Sequence, residues 1–169
     1  MRMTNILGGV ASSAVIVAMA VVYSTAGEAK SAEPPALGTP AFTITEQDLE
    51  CLTQNIYWES RGESLTGQAA IAWVTLNRVT SDAFPDTVCA VVWQRSQFGW
   101  TSQGQRKLQD THSLQRARAI ALMVVDSYRT GADPTHGSTY FHEVNSRPSW
   151  GRKFMKMVRI GQHIFYKTA

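Results

Sequence analysis

The chain has 169 residues, of which 44% are hydrophobic and 17% are charged, and its formal net charge at pH 7 is +3. This length predicts one domain with a substantial core, and the composition excludes a chain that is disordered throughout. The net charge is too small to indicate nucleic-acid binding, so nucleic acid is not expected among its partners.

The N-terminal segment differs from the rest of the chain. Arg2 precedes an uncharged apolar run at residues 6–23, and small residues follow at 24–26. This pattern is typical of an export signal, so residues 1–26 are predicted to be a signal peptide that is cut, or a signal anchor that is not. The uncut run is just long enough to cross the inner membrane. We therefore expect an exported protein of the periplasm or cell envelope, anchored to the inner membrane if the run is retained.

Residues 27–44 are small and proline-rich, which predicts a linker, and residues 45–169 form the predicted domain. The first domain helix should begin near Thr45, which can cap it. Leu49, Leu52 and Ile56 form one apolar stripe, and a further step of three residues along this stripe reaches Glu59.

The remaining elements follow from periodicity and turn residues. Gly62 is expected to end the first helix, and three more helices are predicted at about 66–79, 87–94 and 113–128, with a polar loop at 95–112. Strands are predicted at 138–144, 154–160 and 163–167, the last two joined by a tight turn. Helices first and strands last predict an α+β fold with a helical part followed by a small antiparallel sheet.

The two cysteines are Cys51 and Cys89. In an exported chain such a pair indicates one disulfide, here tying the first helix to the short third one. The alternative is two small buried thiols.

Glu59 is the strongest candidate for a catalytic residue in the sequence. Its position on the apolar stripe places a carboxylate on a core-facing surface at the C-terminal end of a helix. Both desolvation and the negative end of the helix disfavour ionisation, so both raise the pKa of Glu59. A carboxylic acid that is protonated near neutral pH can donate a proton to a glycosidic oxygen. The alternative is a glutamate paired with Arg61 or Arg78.

Glu63 is the candidate for a second carboxylate, four residues after Glu59. A two-carboxylate glycosidase would need such a group within about 5–10 Å of its acid. The alternative is a solvent-exposed residue at the start of the next element. Gln68 and Gln97 are candidate hydrogen-bond partners for sugar amides or for Glu59, and the alternative for each is a surface glutamine.

Three aromatic residues are candidates for substrate binding. Phe98 and Trp100 lie in the predicted polar loop and could stack on sugar faces, although aromatic pairs more often belong to a core. Tyr140, on the first predicted strand, could orient a substrate or hydrogen-bond Glu59. The alternative for Tyr140 is an ordinary strand tyrosine. The four histidines have no zinc-site spacing, so neither a metal nor any other cofactor is expected.

Ordered motifs across residues 50–167 resemble the SleB-type cell-wall hydrolases. They are Trp58-Glu59-Ser60-Arg61-Gly62-Glu63, Gly67-Gln68-Ala69-Ala70-Ile71-Ala72, Leu76-Asn77-Arg78-Val79, Phe84-Pro85-Asp86-Thr87-Val88-Cys89, Gln97-Phe98, Asp133-Pro134-Thr135, Tyr140-Phe141-His142, Pro148-Ser149-Trp150 and Ile160-Gly161-Gln162-His163-Ile164-Phe165-Tyr166. This resemblance implies a lysozyme-like domain, peptidoglycan as the partner, and lytic transglycosylase activity with Glu59 at the position of the catalytic glutamate. Spore-cortex members carry a separate peptidoglycan-binding domain ahead of the catalytic one. Only the predicted signal and linker precede it here, so a role in germination is not expected.

Other functions fit parts of the same sequence. One is a zinc amidase or peptidase that acts on stem peptides, and another is a wall-binding module without catalysis. A phage lysis enzyme with a releasable anchor would also show a weakly apolar N-terminal run. The position of Glu59 favours the glycan-cleaving enzyme, because a binding module does not need a desolvated acid.

Overall fold

The computed structural model describes residues 43–104, 107–128 and 130–168. The predicted signal or anchor at 1–26, including the apolar run at 6–23, lies outside the described residues, as does nearly all of the predicted linker. None of the helices within the described ranges is both long enough and apolar enough to cross a membrane.

Helices come first and strands last, as the sequence pattern predicts. In the described residues the helices are α1 (Glu46–Glu59), α2 (Leu65–Val79), α3 (Val88–Val92) and α4 (Thr111–Tyr128), and the strands are β1 (Tyr140–Glu143), β2 (Met155–Ile160) and β3 (His163–Lys167). Two short 3-10 helices lie at Gly99–Gln103 and Ser149–Arg152. The first of them corrects the loop predicted at 95–112, since a single 3-10 turn has no apolar periodicity to reveal it.

A capping box fixes the start of α1. The Thr45 side chain accepts a hydrogen bond from the Asp48 backbone N–H at 3.0 Å, and the Thr45 backbone N–H donates to the Asp48 carboxylate at 3.3 Å. The same carboxylate accepts from the Cys89 backbone N–H at 3.0 Å. Cys89 is also joined to Cys51 by a disulfide. The cap and the disulfide therefore both attach α1 to α3.

Helix α2 lies between the two parts of the core. Ala72, Trp73 and Leu76 belong to the larger cluster, which α2 forms with the other helices. Residues of the opposite face, among them Ile71 and Val74, pack with Phe165 of the sheet. A helix that is apolar on several faces is expected to be buried, and nearly every residue of α2 is.

The three strands form an antiparallel sheet in the order β1-β3-β2, so β3 is central. Glu143 of β1 lies opposite His163 of β3, and Ile160 of β2 lies opposite the same histidine on the other side. The β2–β3 turn contains Gly161, whose φ of +58° is readily adopted by glycine. This register places the first residue of β3 beside the last residue of β1.

Candidate active site

A cleft of about 480 Å³ opens where the C-terminal end of α1 meets the 3-10 helix at Gly99–Gln103 and the sheet. Its lining combines aromatic, charged and amide side chains. They are Trp58, Glu59, Arg78, Gln97, Trp100, Gln103, Phe141, His142, Glu143, Ser146 and His163.

Glu59 is the last residue of α1, and its half-buried side chain lines the cleft. Burial raises the pKa of Glu59 from 4.5 to about 7, an effect that Arg78 opposes and Glu143 reinforces. Within the described ranges no ion pair joins Glu59 to Arg61 or Arg78, so the alternative of a paired glutamate is not what the structure shows. The arrangement yields a carboxylic acid that remains protonated in part at neutral pH.

Arg78 supplies the positive charge of the cleft from α2. It is 3% exposed, its Nε donates to the Thr139 carbonyl at 2.7 Å, and its guanidinium lies 5.0 Å from the centre of the Phe98 ring. Its Nη1 is buried and has no hydrogen-bond partner in the described part of the chain. Burial lowers the pKa of Arg78 to about 10, so the group stays charged at neutral pH.

Trp100 is held in the wall of the cleft by α1. Its indole N–H donates to the Asn55 side-chain oxygen at 3.1 Å, and the Asn55 amide donates to Thr75 of α2 at 3.1 Å. The Trp100 ring is stacked with that of Trp58 at a centroid distance of 6.3 Å. Both rings line the cleft, and Trp100 is 7% exposed whereas Trp58 is half-buried.

Of the candidate residues Gln97, Phe98 and Tyr140, the first lines the cleft and the other two do not. Gln97 lines the cleft with Glu59, and its role as a hydrogen-bond partner of the sugar or of Glu59 stays a prediction. Phe98 is 2% exposed and packs against Arg78 and Phe141, which corrects the expectation that it stacks on a sugar face. Tyr140 is placed among Phe84, Trp150 and Phe154 and does not line the cleft.

Glu63 and Gln68 lie behind the cleft and do not line it. The Gln68 side chain donates to the Glu63 carbonyl at 2.9 Å, so it braces the α1–α2 connection. The Glu63 carboxylate accepts from the Gln162 backbone N–H at 3.1 Å and lies 3.4 Å from Nδ1 of His163. Its side chain is 8% exposed, which corrects the alternative of a solvent-exposed residue.

Two further residues line the cleft that no local sequence pattern marks as functional. Glu143 is the second carboxylate of the cleft and lies directly opposite His163 in the sheet. His163 lines the same cleft and is 5% exposed. Neither could be found from periodicity, because the β1–β3 register brings them together across the sheet. The only local signal was the Gly161-Gln162-His163 turn within the quoted motifs.

No group of three or more histidine, cysteine, aspartate or glutamate side chains in the described ranges has the arrangement of a metal site.

Comparison with known proteins places this cleft in a family context. Residues 62–166 match a family model described as Cell Wall Hydrolase, a range that begins just after Glu59. The chain is 36% identical to a spore cortex-lytic enzyme of Halalkalibacterium halodurans over 124 residues, which cover 72% of this chain and 35% of that protein. It spans less than half the length of the curated relatives it matches.

Two solved structures share the fold. The catalytic domain of the Bacillus cereus SleB protein has a TM-score of 0.62 at 32% identity, covering 74% of this chain and 93% of that domain. The catalytic domain of the germination-specific lytic transglycosylase SleB from Bacillus anthracis has a TM-score of 0.63 at 31% identity, with coverages of 77% and 100%. The prediction of a lysozyme-like α+β domain is confirmed.

Proposed function

Because the chain belongs to the cell wall hydrolase family, we propose that it cleaves the glycosidic bond between N-acetylmuramic acid and N-acetylglucosamine in peptidoglycan. The reaction is that of a lytic transglycosylase with one catalytic carboxyl group, Glu59. The observation that carries this proposal is a half-buried glutamic acid whose pKa is raised to about 7 in a cleft lined by aromatic and polar side chains. The solved SleB domain from Bacillus anthracis, which is described as a lytic transglycosylase, supports the same reaction class.

In the first step, the protonated Glu59 donates its proton to the glycosidic oxygen as the bond to the muramic acid C1 breaks. Positive charge then develops on the muramic acid ring, and Glu59 becomes a carboxylate. Arg78 favours that carboxylate, and its charge persists at neutral pH. The negative charge of Glu143, in the same cleft, favours the developing positive charge on the sugar.

In the second step, the 6-hydroxyl oxygen of the same muramic acid attacks C1, and the Glu59 carboxylate takes the hydroxyl proton. The products are a 1,6-anhydro-N-acetylmuramic acid end and a free 4-hydroxyl on N-acetylglucosamine, and no water is consumed. The intramolecular hydroxyl is already held beside the reacting carbon, which favours it over a water molecule. Glu63, the candidate second base, points away from this chemistry because its carboxylate is bound to Gln162 and does not line the cleft.

A second groove adjoins the cleft and has the charge expected for this substrate. His142 and Ser146 line both, and Arg147 and Arg152 line the adjoining groove. Peptidoglycan carries carboxylates on its stem peptides, so these arginines would attract the strand beside the bond that is cut. A substrate outside the inner membrane also requires export, for which residues 1–26 have the signal pattern and residues 6–23 the length of an anchor.

Replacing the acid tests this function. Glu59→Gln keeps the size of the side chain but removes its acidic proton, so a folded variant should lose lysis of purified cell walls in a turbidity assay. Glu50→Gln, an exposed glutamate of the same helix outside the cleft, is the matched control and should keep its lysis, and Glu63→Gln should lose much less than Glu59→Gln. Near-normal lysis by a folded Glu59→Gln variant would remove Glu59 from the reaction.

A further inference from the structure

We propose that His163 binds the glycan in the cleft through its Nε2 atom and that Glu63 is a positioning residue that fixes its ring. This inference rests on the proposed function, because the glycan is the ligand. The proposal gives His163 a contact with the substrate, although neither a zinc-site spacing nor a periodic pattern in the sequence singles this histidine out.

The two ring nitrogens of His163 have different surroundings. Nδ1 is sealed from solvent and lies 3.4 Å from the Glu63 carboxylate, and it has no other partner in the described part of the chain. The side chains of Glu63 and His163 are 8% and 6% exposed. Burial lowers the pKa of His163, which favours the neutral ring at neutral pH.

A neutral imidazole carries one proton, and the surroundings select its position. A proton on Nδ1 faces the Glu63 carboxylate, whereas a bare Nδ1 would leave two acceptors facing each other. Nε2 is then an acceptor on a ring that lines the cleft with Glu59. The group it would accept from is an N–H or O–H donor on the sugar, such as an acetamido N–H. The separation of 3.4 Å is long for a hydrogen bond, and such contacts often tighten when substrate binds.

The packing around Glu63 indicates that its carboxylate must be held in this place. A Cβ on Gly161 would lie 2.0 Å from one carboxylate oxygen, and a Cβ on Gly67 would lie 2.8 Å from the same oxygen. Gln68 braces the Glu63 backbone, and the Gln162 N–H binds its carboxylate. These contacts fix the carboxylate between the start of α2 and the β2–β3 turn, where it meets His163.

A purely structural role for the pair would attach this turn to α2 and leave the cleft unaffected. The two roles therefore need a direct test. His163→Asn places an amide near the Nδ1 position, where it can still donate to Glu63, but has nothing at Nε2. His163→Gln reaches the Nε2 position with an amide oxygen that can accept.

We expect His163→Asn to lower kcat/KM on soluble glycan strands about tenfold, as for one lost hydrogen bond, and His163→Gln to retain more activity. If the kcat/KM of His163→Asn stays within about twofold of the wild-type value, His163 has a structural role and the proposal is overturned. Cleavage by the wild-type protein in the same assay distinguishes a failure of the proposed function from a failure of the role proposed for His163. No product from the wild-type chain would contradict the proposed function, whereas an equally active Asn variant contradicts only the role of His163.

Glycine variants test Glu63 without changing any charge. Gly67→Ala should displace the Glu63 carboxylate while improving helix propensity, so kcat/KM should fall although the melting temperature is maintained. Gly161→Ala should do the same at some loss of stability. Gly137→Ala is its matched control, because Gly137 also has a positive φ but nothing within 4 Å of its added Cβ. Wild-type kcat/KM in a stable Gly67→Ala variant, or equal losses for Gly137→Ala and Gly161→Ala, would overturn the positioning role.

Discussion

Glu59 and Arg78 line the same cleft, yet no ion pair within 4.0 Å joins them in the ranges that the structure describes. Arg78 lowers the pKa of Glu59, but burial raises it by more, and the result is about 7. A direct salt bridge would keep the glutamate ionised and unable to donate a proton. The separation therefore preserves the acid while providing a positive charge for the carboxylate that forms after proton transfer.

The rate of glycan cleavage should fall at alkaline pH. Because Glu59 must be protonated to act as an acid and its pKa is about 7, kcat/KM should decrease above about pH 7. A pH–rate profile on soluble glycan strands measures this decrease directly, as the alkaline limb of the curve. A rate that stays flat through pH 9 in a stable enzyme would exclude an acid with this pKa.

Removing the Glu143 carboxylate from the cleft should shift the alkaline limb of the pH–rate profile. Glu143 raises the pKa of Glu59, so Glu143→Gln should lower it and shift the alkaline limb to lower pH. Glu50→Gln is the control, since Glu50 is an exposed glutamate of α1 outside the cleft. An unchanged limb in Glu143→Gln, or an equal shift in both variants, would show that Glu143 does not act on Glu59.

The raised pKa of Glu59 also predicts how its replacement affects stability. Above pH 7 the folded protein carries a desolvated carboxylate that the unfolded chain solvates, and below about pH 4.5 this penalty disappears because both states are protonated. Glu59→Gln should therefore raise the free energy of unfolding by about 1–3 kcal/mol at pH 8, with a gain that shrinks towards pH 4.5. Urea unfolding at both pH values checks this, and a gain that does not depend on pH would contradict it.

The Cys51–Cys89 disulfide should contribute to stability without taking part in catalysis. It closes a loop with a sequence separation of 38 and lies outside the cleft. A Cys51→Ala/Cys89→Ala variant should lose about 3–4 kcal/mol of unfolding free energy but keep its kcat at temperatures where it is folded. Urea unfolding measures the loss. Two free thiols in alkylated protein from an oxidising compartment would contradict the disulfide.

Local patterns were sufficient to predict most of the helical part. The Thr45 cap and the stripe at Leu49, Leu52 and Ile56 placed α1, and extending this stripe placed Glu59 at its end. These features depend on neighbouring residues and on a repeat of 3.6, both of which can be read in one dimension. The strands could be predicted from their β-branched and aromatic runs and from the tight turn between the last two. The third strand agrees at both ends, and the ends of the other two differ by at most two residues.

Side-chain environments were harder to predict because they depend on contacts between distant segments. Phe98 lies in a polar stretch of sequence but packs against the Arg78 guanidinium. Glu63 is a charged residue, yet its carboxylate is buried close to Gly67 and Gly161. Glu143 and His163 become neighbours only through the strand register. The acid of the candidate site was therefore accessible from the sequence, whereas most of its surroundings were not.

The chemical nature of the released ends tests the proposed function most directly. Purified peptidoglycan digested by the wild-type chain should yield muropeptides that end in 1,6-anhydro-N-acetylmuramic acid, lighter by one water than the products of hydrolysis. Mass spectrometry distinguishes these ends without any assumption about binding. The proposal predicts anhydro ends from wild type and none from Glu59→Gln. Reducing ends would contradict the transglycosylase reaction, and intact glycan with released stem peptides would contradict glycosidic cleavage altogether.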